Sequence, residues 1–511
     1  MTDIFKHSLI GRFFNKIAAL WGESFVFWLI SRDTNDAKIK NSGIYKFTNQ
    51  LINACCGGLI KLGRNLDRLI IQSVLFSSII SLGGMLARAF KSSFVCRLIE
   101  RIFEFEFDFS GVKLYQLIVM LVVFITPIVP TMICAGLSII AFILFVIDCI
   151  RGKVSPVRLD ATGFMILMLV AVFGFFAVFS LAAASSLKIW LIYTAFMLFF
   201  FLVVQTASTK ERLYKLSALA VFSGLLVSAF GIYQRFFGDD IGHAWLDEEM
   251  FGDISVRVYS TLGNPNVLGE YLLLMIPLCA ALLWTRKTAL SRLYYLGTLG
   301  VMLVCMLFTQ SRGCWLGLIL AAAVFAVFVD KRLVILGIVA MFLLPFVMPE
   351  SIIARFSSIG NVNDSSTSYR LYIWLGTIKM LRDFGIYGIG LGSDAFNKIY
   401  PFYSYSSIIA PHSHNIYLQL LCESGITGLA VFLATMLVSL KKMFLTALTD
   451  KKGFAGVVSV GIVSGLLGFL MQGAFDYVWY NYRVFLLFWI VIAIGISAGR
   501  VMDDKAISYN Q

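Results

Sequence analysis

Beyond residue 113 the chain is a succession of apolar runs of roughly 15–23 residues, the length a helix needs to cross a bilayer, separated by polar connections. The runs fall at 114–128, 131–150, 161–183, 187–207, 216–237, 267–284, 293–309, 314–329, 333–348, 425–440, 454–472 and 483–499. They predict an all-α polytopic membrane protein with about 12 transmembrane helices. The first two runs are short and meet at Pro127–Pro130, which predicts a tight hairpin.

The stretch 1–113 has a different pattern, with charges and apolar residues interleaved. Phe5, Leu9, Phe13, Ile17 and Trp21 recur at helical spacing among Lys6, Arg12 and Lys16, which predicts an in-plane helix on the cytoplasmic face. Leu69–Phe90 is long enough to span but carries Ser73, Ser77, Ser78, Ser81 and Gly83–Gly84, so a surface helix is expected there. FEFEFDF at 103–109 alternates with the period of a strand. The expected organisation is an amphipathic region at 1–113, a transmembrane domain at 114–499 and a cytoplasmic tail at 500–511.

Composition agrees with a membrane protein: 59% of the 511 residues are hydrophobic and 14% charged. A net charge of +13 would suggest nucleic acid in a soluble chain, but here the basic residues bracket apolar runs. No small-residue cleavage site follows a compact apolar run within Met1–Ile30, so the N-terminus is expected to stay in the mature protein. Alternate connections hold the basic residues: Arg151, Lys153 and Arg158; Lys210, Arg212 and Lys215; Arg286, Lys287 and Arg292; Lys331 and Arg332; Lys441, Lys442, Lys451 and Lys452. The positive-inside rule puts that set, and both termini, in the cytoplasm. The nine cysteines are scattered without a CxxC and read as small core residues.

Two connections on the opposite side are long, 238–266 and 349–424. Within the second, YRLYIWLGTIKMLRDF at 369–384 predicts an amphipathic helix along the membrane surface, with Arg370, Lys379 and Arg382 beside the apolar positions. Long loops of this kind have room for a site. Gly388–Gly392 (GIGLG) is read as a flexible turn, because no strand–turn–helix unit surrounds it to make a dinucleotide fingerprint.

Two of the four histidines, His412 and His414, close the second loop. A histidine there can be a base toward a hydroxyl, or a helix-start residue satisfied by backbone. Spacing at i and i+2 does not put both on one helix face, which argues against a metal pair. Arg312 sits in a connection that barely leaves the bilayer, where an arginine costs about 2.5–3.5 kcal/mol near mid-membrane and less at the edge. It is either snorkelling or facing an anion, for which its planar fork of donors suits phosphate. Arg257 precedes the turn and helix-start signal Gly263-Asn264-Pro265-Asn266, and Glu270 follows one turn into the next span, a buried acid whose natural partner is an arginine of this cluster. Arg370 is the third arginine candidate. Arginines for a pyrophosphate beside a base for a hydroxyl fit transfer of a group from a lipid-linked pyrophosphate.

At these residues the chain resembles the O-antigen ligase family, which includes O-oligosaccharyltransferases and O-antigen polymerases. The matching segments are GNPNVLGE at 263–270, TQSRGCWLG at 309–317, YRLYIWLGTIKMLRDFGIYGIGLGSDAF at 369–396 and HSHNIYLQLLCESGITGL at 412–429, within a similarity running from about 114 to 499. The resemblance implies a C-type glycosyltransferase-like fold in the bacterial cytoplasmic membrane. It implies transfer of a glycan from undecaprenyl pyrophosphate to a glycan, lipid or protein acceptor, without metal, cofactor, nucleotide sugar or nucleic acid. On this chain the essential histidine of the family maps to His414, with His412 second, and the diphosphate-binding arginines to Arg257 and Arg312, with Arg370 a third. Ligase and polymerase are not separated by these residues. A transporter of polysaccharide precursors is the reading from another class; against it, no duplication of halves is visible and the polar residues gather in an outer loop.

Overall fold

The computed structural model describes residues 39–54, 91–106, 111–155, 157, 159–238, 257–348, 350–360, 365–405 and 407–509. They are helices and connections, with no strand among the described residues. Helix α1 is Phe94–Phe103; α2, Leu114–Ile125, and α3, Thr131–Ile150, form the expected hairpin. There follow α4 (Ala161–Val178), α5 (Ala183–Thr206), α6 (Lys210–Phe237), α7 (Pro265–Thr285), α8 (Ala289–Phe308), α9 (Arg312–Val329) and α10 (Arg332–Val347). The long connection carries α11 (Glu350–Ser357), α12 (Ser365–Phe384) and α13 (Ser393–Ile399), and the chain closes with α14 (Ile416–Thr449), α15 (Phe454–Gln472) and α16 (Tyr482–Tyr509). Ten of these are long and apolar enough to cross a membrane, and the shorter α2 and α10 are also apolar. Each of the twelve expected spans therefore falls on a helix.

Polar side chains fix where the helices begin. Asn264 accepts from the N–H groups of Asn266 and Val267 ahead of α7, with Pro265 in the first turn, where its missing N–H costs nothing. Asn415 does the same for α14, and Asp160 and Thr209 cap α4 and α6. Inside the bundle α7, α15 and α16 are the most enclosed, and α15 lies against both α7 and α9. That approach depends on Gly317 and Gly468, which meet backbone to backbone: a Cβ on Gly317 would stand 2.6 Å from the Gly468 carbonyl oxygen.

The connections sort to two ends. At one, Asp160 takes Lys442 at 2.7 Å and Arg500 at 3.0 Å. Residues 39–54 reach that end through the Tyr45 hydroxyl, which donates to the Leu159 carbonyl at 2.7 Å. The alternation in FEFEFDF is not a strand in its described part. Phe103 ends α1, and Glu104, at φ 53°, turns the chain so that its carboxylate accepts from Thr288 N–H (2.7 Å) and Oγ1 (2.8 Å) at the start of α8. Phe103 and Phe105 then pack on Tyr294 and Tyr214, so the alternation separates two rings for the bundle from the Glu104 carboxylate at a helix N-terminus. The helices expected at residues 5–21 and 69–90 lie outside the described residues.

At the other end α12 starts four residues ahead of the expected Tyr369. It buries Ile373, Gly376, Thr377 and Met380 in a small separate core with Ile389, Phe396 and Tyr400. Leu371, Leu375 and Ile378 remain exposed along another face, as befits a helix at a membrane surface. The GIGLG turn is held rather than flexible. Ile389 N–H donates to the Cys422 carbonyl (2.8 Å), Gly390 N–H to the Glu423 carbonyl (3.1 Å) and Gly392 N–H to Glu423 Oε1 (3.0 Å). Those amides are unavailable to a phosphate. Opposite them α14 breaks at Ser424–Gly425, dividing the expected 416–423 run from the span that follows; Gly425, at φ 58° and ψ −171°, faces the Ile386 carbonyl too closely for any side chain.

Candidate active site

The candidate residues from four separate segments converge at this end of the bundle. Arg257, Arg312 and Arg370 line one narrow cleft together with Arg355 of α11, Asn266, Gln310 and Gln472. Arg257 is buried; its Nε donates to the Thr309 carbonyl (3.0 Å) and its guanidinium to Asn266 Oδ1 (2.9 Å). Arg312 opens α9 and donates to the Ser358 carbonyl (3.2 Å) and hydroxyl (3.0 Å), which ties it to α11. Burial, then the charges of Arg355 and Arg370, lower the Arg257 pKa to about 9. Guanidiniums facing one another around a small space leave a field that favours an anion.

Asp476, in the connection between α15 and α16, joins this cleft to the histidines. Its Oδ1 lies 3.0 Å from Nδ1 of His414, and its Oδ2 accepts from Asn266 Nδ2 at 3.0 Å and faces Arg370 at 3.5 Å. Burial opposes its charge, but the His414 hydrogen bond and the Arg370 charge outweigh it and hold the carboxyl well below the usual carboxylate range. His414 has φ 48°, in the left-handed region that a side chain rarely adopts. Its carbonyl takes Trp374 Nε1 at 3.2 Å and its ring meets Tyr369 edge-on. Gln310, which lines the cleft, shares that backbone region at φ 51°.

The two histidines differ in what their Nδ1 atoms do. His412 Nδ1 accepts the His414 backbone N–H at 3.2 Å, so the neutral ring carries its proton on Nε2 and is a donor. His414 Nδ1 faces a carboxylate, so its proton sits there and Nε2 keeps a lone pair. Burial, then the neighbouring His414, lowers the His412 pKa to about 3.

Beneath the histidines Glu423 gathers three segments. It accepts from Gly392 N–H (3.0 Å), from Gln419 Nε2 (2.9 Å), whose Oε1 takes Ser413 N–H (2.8 Å), and from the Tyr477 hydroxyl (3.4 Å).

The expected partner of Glu270 is shared. Glu270 is buried beside Gln472 and feels the charge of Arg370, while the hydrogen bonds of Arg257 go to Asn266 and Thr309 and Arg370 faces Asp476. The cluster thus uses an acid from a distant connection. Asp476 is 62 residues from His414 and 106 from Arg370, so only the fold reveals the contact, and a lone acid in a short loop reads in sequence as a solvated charge. Arg355 was hidden likewise in a helix that the sequence pattern did not separate from its loop.

His412, His414 and Asp476 bring ligand atoms within 4.8 Å of one another, close enough for a metal ion by distance. The guanidinium of Arg370 sits 3.5 Å from the same carboxylate, and its charge opposes a cation there.

Residues 297–433 match the family model described as O-antigen ligase. The matched stretch contains Arg312, Arg355, Arg370, His412, His414 and Glu423, while Arg257, Asn266 and Asp476 lie outside it. No curated protein matches the chain. Residues 297–433 are thus similar to the O-antigen ligase family, within a polytopic helical membrane protein.

Proposed function

We propose that this protein transfers a glycan from undecaprenyl pyrophosphate to an acceptor hydroxyl at the outer face of the bacterial cytoplasmic membrane. The observation that carries this is the cleft of four arginines abutting a histidine that a carboxylate orients. Arg257, Arg312, Arg355 and Arg370 take the diphosphate, supplying the charge stabilisation that a divalent ion would otherwise give. His414 Nε2 removes the acceptor's proton as the acceptor oxygen attacks the anomeric carbon. The bond from that carbon to the phosphate oxygen breaks, a new C–O bond forms, and undecaprenyl pyrophosphate leaves with its charge held by the arginines. Asp476 fixes the His414 tautomer and stabilises the imidazolium that results. His412, a neutral donor, hydrogen-bonds a sugar or acceptor oxygen. The outer placement rests on the basic connections, which gather at the opposite end of the bundle.

The test incubates purified wild type, His414→Ala and Arg312→Ala with undecaprenyl-pyrophosphate-linked glycan carrying a radiolabel, plus membrane acceptors. Label should leave the lipid with wild type and fall by roughly 10²–10⁴-fold in His414→Ala, the usual contribution of a general base. Product length separates ligase from polymerase. Equal transfer by all three proteins would remove both residues from the mechanism.

A further inference from the structure

Next to the histidine segment, with lining residues distinct from those of the arginine cleft, lies a second and larger cavity of about 760 Å³. That is within the range of roughly 300–1,000 Å³ typical of small-ligand pockets. One wall is the run 477–483, which directly follows Asp476; the others come from the α2–α3 turn, α5, Thr261 and the start of α13. The His412 ring stands 4.8 Å from the ring of Tyr480 and 5.4 Å from that of Tyr477, both of which line the cavity, so the histidine segment packs directly against this wall.

The chemistry of this wall is specific. Tyr193, Tyr477, Tyr480 and Tyr482 give it aromatic rings, and no carboxylate lines it among the described residues. Arg483 is, among the described residues, the one charged lining residue, and its guanidinium is directed to the carbonyls of Thr261 (3.0 Å) and Leu262 (3.2 Å). Among the described residues, the hydroxyls of Ser393, Tyr480 and Tyr482 and the Asn481 Nδ2 have no hydrogen-bond partner in the protein. Unspent donors and acceptors beside aromatic faces suit a ligand that is itself dense in hydroxyls with apolar C–H faces. A lipid chain would leave those polar groups unsatisfied, at a cost.

We propose that this cavity is the acceptor site and that the acceptor is a neutral glycan, its reactive sugar lying against Tyr480 and Tyr482 with the attacking hydroxyl toward the histidines. Calling the glycan an acceptor rests on the transfer proposed above; the binding itself does not.

The test is therefore a binding measurement. Oligosaccharides released from the producing cell's own envelope glycans are reduced with tritiated borohydride and equilibrated with detergent-purified protein. Undecaprenyl pyrophosphate binding is measured in parallel. Wild type should retain the oligosaccharide. Tyr480→Ala and Tyr482→Ala should each weaken it by at least about tenfold, as expected for losing an aromatic contact and a hydroxyl. Ser393→Trp, which fills the cavity, should abolish it, while Arg312→Ala should bind oligosaccharide as wild type does. Undecaprenyl pyrophosphate should show the reverse pattern, which also reports that each variant is folded. The proposal is overturned if wild type retains no oligosaccharide, if Ser393→Trp retains it, or if Ser393→Trp loses the lipid pyrophosphate instead. Oligosaccharide bound in this pattern by a protein that moves no label would count against the transfer reaction and leave the glycan site standing.

Discussion

Asp476 divides its two oxygens between two tasks, one on the His414 ring and the other on Asn266 and Arg370. Asp476→Asn should therefore act on the two substrates in opposite senses. Without the carboxylate charge the imidazolium is no longer stabilised, and the turnover rate should fall by roughly 10²–10⁴-fold. The arginine cleft meanwhile loses a counter-charge, so undecaprenyl pyrophosphate should bind as tightly as to wild type or more tightly. Equilibrium binding set against turnover checks this, and weaker lipid binding would show that Asp476 only supports the fold. The pH dependence of stability separates the neighbours further. His412 is lowered from the ordinary 6.5 to about 3 by burial and by His414, so below pH 6.5 the unfolded chain takes up a proton that the folded one refuses. Stability should fall as pH drops through that window. Asp476 is also depressed, so its contribution is complete above an unfolded value of about 3.9 and is lost only below it. Other groups of the site titrate between pH 7 and pH 5 as well, so it is the difference between wild type and His412→Asn melting across that window that isolates His412. His412→Asn, whose Oδ1 can still accept the His414 N–H, should flatten that slope; an unchanged slope would mean that His412 is protonated in the fold. Of these residues the sequence offered the histidines and three arginines, because each type is unusual at a membrane edge. Asp476 and Asn266 are ordinary loop and helix-start residues until the fold brings them to His414.

At the scale of elements, helix starts were legible and helix contacts were not. Asn264-Pro265 and Asn415 announce α7 and α14 through local hydrogen bonding, which sequence records directly. The carboxylate of Glu423, by contrast, draws the GIGLG turn, the histidine segment and the Asp476 connection together, and nothing in its own helix signals that. Glu423→Ala would leave Gly392 N–H and Gln419 Nε2 without their acceptor, at about 1–3 kcal/mol for a buried group, while the Tyr477 hydroxyl keeps that of Tyr193 at 3.1 Å. Transfer and thermal stability should both drop, and Glu423→Gln should restore part of each because its amide oxygen still accepts. Equal behaviour of the two variants would show that these hydrogen bonds do not hold the site. The α9–α15 seam depends on shape instead. At Gly468 any side chain drives into the Gly317 carbonyl, so Gly468→Leu should split the seam, yielding protein that aggregates on detergent extraction, whereas Ala321→Gly at its margin should cost only about 1 kcal/mol.

For the whole molecule, sidedness is the quantity on which the chemistry depends. The helices run alternately up and down, so their connections divide into two sets. One holds Asp160, Lys442 and Arg500; the other holds the arginines, Asp476 and the histidines. Charge bias alone assigned the basic set to the cytoplasm, a statement about insertion that fold geometry does not contain. Two positions decide it, because the alternation links every connection to either one. Ile409 is 81% exposed beside the histidine segment, and Lys452 is exposed in the α14–α15 turn at the opposite end. In intact cells a membrane-impermeant maleimide should label Ile409→Cys and spare Lys452→Cys, which should react only after the membrane is permeabilised. Wild type measures the background, expected to be low because six of the seven cysteines among the described residues are buried. Labelling in the reverse order would turn the arginine cleft and both histidines toward the cytoplasm. The proposed transfer at the outer face would then be untenable even if every distance in the site were right, because its donor and acceptor would have to meet on the other side of the membrane.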